Sequence, residues 1–186
     1  MSQASRPPDR EETFRALYES AYSDLIRFVQ RRAHPDHAED VVADAFLVVW
    51  RRLNDVPNDQ DDARAWIYGI TRNILLNSNR SELRRQALGV RLADAMAFSD
   101  DSSADLAATR VDLARAWHRL SEVHQEALSL AVLEELTAPQ AAAVLGISPV
   151  AFRLRLSRAR RALQLHLDHL PQATPLPAEL AGRTPR

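Results

Sequence analysis

Apolar residues in this 186-residue chain recur at three- and four-residue steps, segment after segment, and no segment alternates convincingly as a strand would. From Thr13 to Ala33 the set is Phe14, Leu17, Tyr18, Ala21, Leu25, Phe28 and Val29. That repeat collects them on one face of a helix. His34-Pro35-Asp36 ends it, because proline disfavours helical geometry in the residue before it. A second helix is expected from about Asp36 to Leu53, with Val41, Val42, Ala45, Phe46, Val49, Trp50 and Leu53 as its apolar set. Acids at its start and Arg51 and Arg52 at its end complement the helix dipole. After the turn residues of 54–62 (NDVPNDQDD), a third helix starts near Asp62, with Trp66, Ile67, Ile70, Ile74 and Leu75 inward. It runs toward Arg80, Arg84 and Arg85, where Ser81 is placed to cap a fourth. Only 4 Gly stand against 10 Pro, and Ala, Leu and Arg are abundant, which favours helix over sheet.

Residues 94–105 (DAMAFSDDSSAD) lose the period and gain Ser and Asp. Beyond them one helix is expected from about Asp105 to Leu120 and another from Glu122 to Leu136, with Ser121 as its cap. Thr137 then caps a short helix, Gly146-Ile147 turns the chain, and Ser148 caps a long helix that opens on Pro149 and runs to about Leu170. The expected fold is therefore all-α: two small helical domains joined by a flexible acidic linker, the second ending in a helix-turn-helix. Their bounds are a disordered arm at 1–12, domains at 13–92 and 106–170, a linker at 93–105, and a Pro-rich disordered tail at 171–186.

The net charge of −1 conceals a strong pattern. Residues 63–91 hold six Arg and one acid, and residues 148–166 hold five Arg and no acid. Residues 34–62 hold eight acids and two Arg, and residues 92–112 hold five Asp and one Arg. Two separate basic stretches suit two polyanion contacts, and equally two solvated helix faces. The absence of Cys excludes disulfides, Cys-ligated zinc, iron–sulfur clusters and thiol chemistry, and it fits a reducing cytoplasm. No apolar run approaches the ~20 residues that span a bilayer, and the polar start of the chain is unlike a signal peptide.

The second basic stretch, TAPQAAAVLGISPVAFRLRLSRARRAL, has the layout of a DNA-binding helix-turn-helix. Ala141 and Ala142 let its first helix sit close to the second, Gly146 supplies a left-handed turn, and Ile147 plugs the angle between them. Phe152, Leu156, Ala159 and Leu163 form the buried face of the second helix. Ser148, Val150, Ala151, Arg153, Leu154, Arg155, Ser157 and Arg158 are left to meet duplex DNA. The first stretch, ARAWIYGITRNILLNSNRSELRR, interleaves Trp66 and Tyr68 with Arg64, Arg72, Asn73, Asn77, Arg80, Arg84 and Arg85. Rings among Arg and Asn suit single-stranded nucleic acid, whose bases stack while Arg follows the backbone. Trp66 falls on the core period; Tyr68, Arg72 and Arg80 are the residues expected on an exposed face.

Four pieces together resemble the sigma-70 family of RNA polymerase sigma factors, in its extracytoplasmic-function (ECF) group: AEDVVADAFLVVWRRL (38–53), ARAWIYGITRNILLN (63–77), the AVLGIS turn and FRLRLSRARRAL (152–163). The resemblance spans roughly residues 13–92 and 106–168. It implies that 13–92 is region 2, with Asp40, Asp44, Phe46 and Trp50 against the β′ clamp of core polymerase. The stretch 63–85 would recognise and melt the −10 element, and loop 54–62 would capture a flipped base. Residues 106–170 would form region 4, facing the β flap, with helix 149–165 reading the −35 element. An anti-sigma protein is implied as a further partner, with promoter DNA met both as duplex and as single strand.

The main rival is a helix-turn-helix regulator with a helical sensor domain, which leaves the first basic stretch without a use. A metal hydrolase is the other. His34/His37 and His166/His169 lack a third ligand, however, and there is no nucleophile–base pair or Gly-rich phosphate loop. No cofactor, metal or intrinsic catalysis is expected, and no insertion into a membrane.

Overall fold

The computed structural model describes residues 10–78, 89–91 and 104–169. Among these, seven α-helices carry the fold: α1 (Arg10–Gln30), α2 (Ala38–Arg51), α3 (Gln60–Ser78), α4 (Ala104–His118), α5 (Glu122–Val132), α6 (Ala138–Leu145) and α7 (Pro149–Asp168). Short 3-10 turns at Pro35–His37 and Leu53–Asp55 flank α2, and no strand occurs among the described residues. Residues 1–9 of the expected arm, the Ser81 cap, most of the linker and the Pro-rich tail lie outside the described residues, while Arg10, Glu11 and Glu12, expected in that arm, form the first turn of α1.

Local chemistry accounts for the ends of the helices. Asp59 caps α3, its carboxylate accepting from the N–H groups of Asp61 and Asp62 at 3.0 Å each. Helix α5 stops at Val132 rather than Leu136, because Glu135 adopts φ 55° and the Leu136 N–H reaches back to the Leu130 carbonyl at 3.0 Å. That closure is one residue wider than a Schellman motif, with a glutamate in the left-handed position glycine usually takes. At the start of α6 the Gln140 side-chain carbonyl accepts from the Thr137 N–H at 3.0 Å and its hydroxyl at 2.7 Å. Gly146, at φ 65°, closes the other end. Ser148 caps α7, accepting from the Ala151 N–H at 3.2 Å, and Pro149 takes the first helical position as expected.

Helices α1, α2 and α3 form the first half, burying Leu25, Phe28, Val29, Val42, Val49, Ile67 and Leu75. Helices α4 to α7 form the second. The two halves do not sit apart on a tether: α3 packs on α6 as extensively as on α2. One buried cluster runs from Phe28, Val42 and Ile67 through to Leu130, Ala141, Val144 and Phe152. The close approach is at Gly69, where an added Cβ would lie 3.8 Å from the Val144 Cα. A smaller cluster joins Trp117, Leu120, Leu128 and Ala159 to Val90, from the short segment after the first half. Helix α5 lies between the halves and is buried on several sides, which explains why Gln125, Glu126 and Ser129 are inside along with its apolar residues.

Candidate nucleic-acid interface

Helix α7 has the geometry expected of it. Phe152 and Ala159 are fully buried, with Leu156 and Leu163 packed beside them. The 4-3-4 spacing thus forms its inner seam. Ser148, Val150, Ala151, Arg153, Leu154, Ser157 and Arg158 are exposed, and Arg155 is half-buried. Val150 is 71 % exposed and Leu154 52 %, so two apolar residues stand in water at the head of the helix, flanking Arg153. Apolar side chains there can meet thymine methyl groups, and an arginine can pair with guanine or phosphate.

Helix α3 departs from the expectation. Tyr68 is 1 % exposed and Arg72 6 %, so neither presents a free face; Trp66, assigned to the core by period, is the half-exposed ring. For Arg72 the reason is the second half, and for the Tyr68 ring it is α1. Arg72 donates from Nε and Nη2 to the two carboxylate oxygens of Glu126, at 2.6 and 3.0 Å. Arg64 donates to the Glu134 carbonyl at 2.8 Å, to Asp24 at 3.1 Å and to the Tyr68 hydroxyl at 3.1 Å. The Tyr68 ring stands edge-on to Phe28, 4.9 Å between centroids, and burial pushes its phenol well above the usual value. Asn73 and Asn77 remain exposed, while Arg80, Arg84 and Arg85 lie outside the described residues.

Behind this pair is a network that sequence reading missed. Both Glu134 carboxylate oxygens accept from Arg31 Nη2 at 2.8 Å, and one also accepts from Arg32 Nη1 at 3.3 Å. Arg32 donates further to the Ser129 hydroxyl at 2.7 Å and the Phe28 carbonyl at 2.9 Å. The Arg32 guanidinium also stacks 3.6 Å from the Phe28 ring centroid, and its burial pulls it down to about 10. A signal was present: Glu126 at one end and Glu134 and Glu135 near the other bracket a mostly apolar run, EALSLAVLEEL. Nothing local in the sequence pairs Glu126 with an arginine 54 residues away or Glu134 with arginines 102 and 103 residues away.

Loop 54–62 opens on a cleft of about 490 Å³ lined by Arg52, Pro57, Asp62, Trp66, Asn73 and Gln140 among others. Its roof is α6, through the 3.2 Å bond from the Gln140 amide to Asp62. The Arg52 guanidinium lies 5.5 Å from the Trp66 ring centroid.

On α2, Asp40, Asp44 and Trp50 are exposed, but Phe46 is only 4 % exposed. It packs edge-on to Phe14, with ring centroids 5.9 Å apart, and so supports the fold rather than facing a partner. Trp50 is 37 % exposed, with the Arg10 guanidinium 5.0 Å from its ring. Leu47, 55 % exposed, shares this face three residues after Asp44, and sequence reading passed over it. No helix among the described residues is long and apolar enough to cross a membrane, and no group of three metal-ligating side chains occurs among them.

Residues 17–87 match the family described as sigma-70 region 2, and residues 110–163 match sigma-70, region 4. The ECF RNA polymerase sigma factor SigL of Mycobacterium tuberculosis is 30 % identical over 160 residues, covering 84 % of this chain and 89 % of the relative. The RNA polymerase sigma factor CnrH of Cupriavidus metallidurans is 32 % identical over 140 residues, covering 70 % of this chain and 73 % of the relative. The solved structure of CnrH in complex with the cytosolic domain of CnrY superposes with a TM-score of 0.56 at 26 % identity, over 85 % of this chain and 89 % of that one. The sigma factor RpoE of Bartonella quintana, solved with the anti-sigma factor NepR, shares the fold at a TM-score of 0.53 and 23 % identity, over 86 % of this chain and 94 % of that one.

Proposed function

The chain belongs to the sigma-70 family, in its extracytoplasmic-function group, and from that premise we propose how its surfaces divide the work of an RNA polymerase sigma factor. Its function is that of the family: it binds core RNA polymerase and directs promoter recognition, DNA melting and transcription initiation. Helix α7 is the duplex reader of the −35 side. The observation that carries this assignment is its division into a fully buried Phe152–Ala159 seam and an exposed face bearing Val150, Ala151, Arg153, Leu154, Ser157 and Arg158.

Helix α3 with loop 54–62 is the strand side of the −10 element. Asn73 and Asn77 are available at once, whereas Arg64, Tyr68 and Arg72 serve only where the second half has moved off them. The clamp of core polymerase is met by the outer face of α2, where Asp40, Asp44, Leu47 and Trp50 combine charge with exposed apolar surface. The second half meets the β flap. Phosphoryl transfer belongs to the polymerase, and this chain adds no catalytic group of its own. It works in the cytoplasm, where the polymerase is. An anti-sigma protein binds it one to one and excludes the core enzyme.

Transcription run-off with purified core enzyme on genomic promoters tests the reading. Discrete start sites that depend on this chain are expected. Binding to duplex operators with full affinity and no dependence on core enzyme would favour a helix-turn-helix regulator instead.

A further inference from the structure

Each base asks for a different side chain in the major groove. Arginine or lysine pairs with guanine, asparagine or glutamine with adenine, a carboxylate with cytosine, and an apolar group with the methyl of thymine. From Ser148 to Arg161 the chain holds no carboxylate, no asparagine and no glutamine. The Ser148 hydroxyl is engaged as the cap of α7, accepting from the Ala151 N–H at 3.2 Å. Base choice at the head of this helix is therefore left to arginine or to apolar contact.

Helical geometry decides between them. At 3.6 residues per turn, Val150 and Leu154 fall within about 20° of the line opposite Phe152, and Arg153 and Arg158 fall about 60° to 80° to either side of it. Phe152 is fully buried, so that line points straight out from the body of the protein. Val150 is 71 % exposed and Leu154 52 %, and both arginines are exposed beside them. The part of α7 that enters a groove deepest is thus apolar, and the arginines stand where the two sugar–phosphate walls pass.

Resting on the reading of α7 as the duplex reader, we propose that Val150 and Leu154 set base choice at the −35 element by selecting thymine through its C5 methyl. Arg153 and Arg158 hold the phosphates on either side and carry no base choice of their own. The two apolar side chains are one turn apart, about 6 Å along the helix, so the methyls they cover lie one or two base-pair steps apart, on either strand. Covering one methyl group against water is worth about fourfold in affinity, and covering two about fifteenfold. Ala151, beside Val150, adds no bulk that would keep the helix from the groove floor.

The test uses holoenzyme reconstituted from core polymerase and the full chain, on duplexes carrying a promoter mapped by run-off. Each thymine of the −35 element is replaced in turn by uracil, which removes the methyl and keeps every pairing group, and affinity is titrated by anisotropy. Two positions are expected at which uracil weakens binding about fourfold, with about fifteenfold for the duplex substituted at both. Leu154→Ala and Val150→Ala should each flatten the response at one of those positions at least. Both side chains are exposed and outside the buried seam, and the uracil series on the parent chain needs no variant.

No response to uracil at any −35 position would overturn the proposal, as would variants that keep the parent's full response at both positions. Loss of binding when a −35 guanine is replaced by 7-deazaguanine, with no loss to uracil, would move base choice to the arginines and overturn it equally. Footprinting separates these failures from that of the α7 reading. Where α7 is the reader, Arg153→Ala weakens protection at −35 whatever uracil does; where protection is unchanged, the reading fails and takes the proposal with it.

Discussion

Replacing Glu134 by alanine removes one carboxylate and leaves two buried guanidinium groups facing each other. Arg31 loses both its bonds to that group and Arg32 loses one, while each Nε is already without a partner. Truncating one member of a buried charge cluster costs about 3–5 kcal/mol, because the remaining charges are stranded away from water. For a chain of this size each kcal/mol lowers the melting temperature by about 2–4 °C, so a fall of about 6–20 °C is expected. The fold has one escape. The halves can part and hydrate Arg31 and Arg32, which caps the loss at the free energy holding them together. The change then shows as an early opening step rather than complete unfolding. Circular dichroism against temperature reads the first outcome, and native-state hydrogen exchange along α5 and α6 reads the second. Replacing Arg31, Arg32 and Glu134 together by methionine should recover most of the loss, since apolar residues of similar volume need no partners. An alanine variant that melts within about 2 °C of the parent, with unchanged exchange along α5 and α6, would refute the reasoning.

Asp44→Arg should abolish association with core polymerase at unchanged helix content, because it reverses a charge at the centre of the exposed α2 face while touching no packed residue. Co-sedimentation with core enzyme checks it. Arg153→Ala should cost about 1–3 kcal/mol of duplex binding at −35 and matter little on a template already melted at −10. Asn73→Ala should do the reverse, read by footprinting at −35 beside permanganate reactivity at −10. Burial raises the Tyr68 phenol above its ordinary value of 10.0, so the fold keeps a proton there that the unfolded chain releases. That contribution is present below about pH 10 and lost as pH rises beyond it. The depressed Arg32 works the other way, so comparison with Tyr68→Phe isolates the phenol. Phenolate absorbance should show one of the three tyrosines titrating only as the chain unfolds.

What the sequence by itself determined is whatever depends on neighbours along the chain. Three- and four-residue apolar periods, proline breaks and capping residues located the described helices to within a few residues. They also gave the Ser148-Pro149 start of α7 and its Phe152–Ala159 seam, since a helix-turn-helix is closed by contacts within about thirty residues. Exposure on α3 was not of this kind. By period, Trp66 belonged inside and Tyr68 and Arg72 outside, yet Tyr68 already packs on Phe28 of α1 within the first half. The tertiary structure decided the rest, because α6 approaches α3 over Gly69, and α5 and the turn after it bring Glu126 and Glu134 to arginines far away in sequence. Phe46, in the apolar set of its helix but set against the clamp by the resemblance, is buried for a related reason: α1 places Phe14 over it and leaves Leu47, which had no assigned role, in water. A helix carries two or three faces that could each be buried. Which of them is buried depends on what docks there, and a charged residue can go inside only where a distant partner of opposite sign arrives with it.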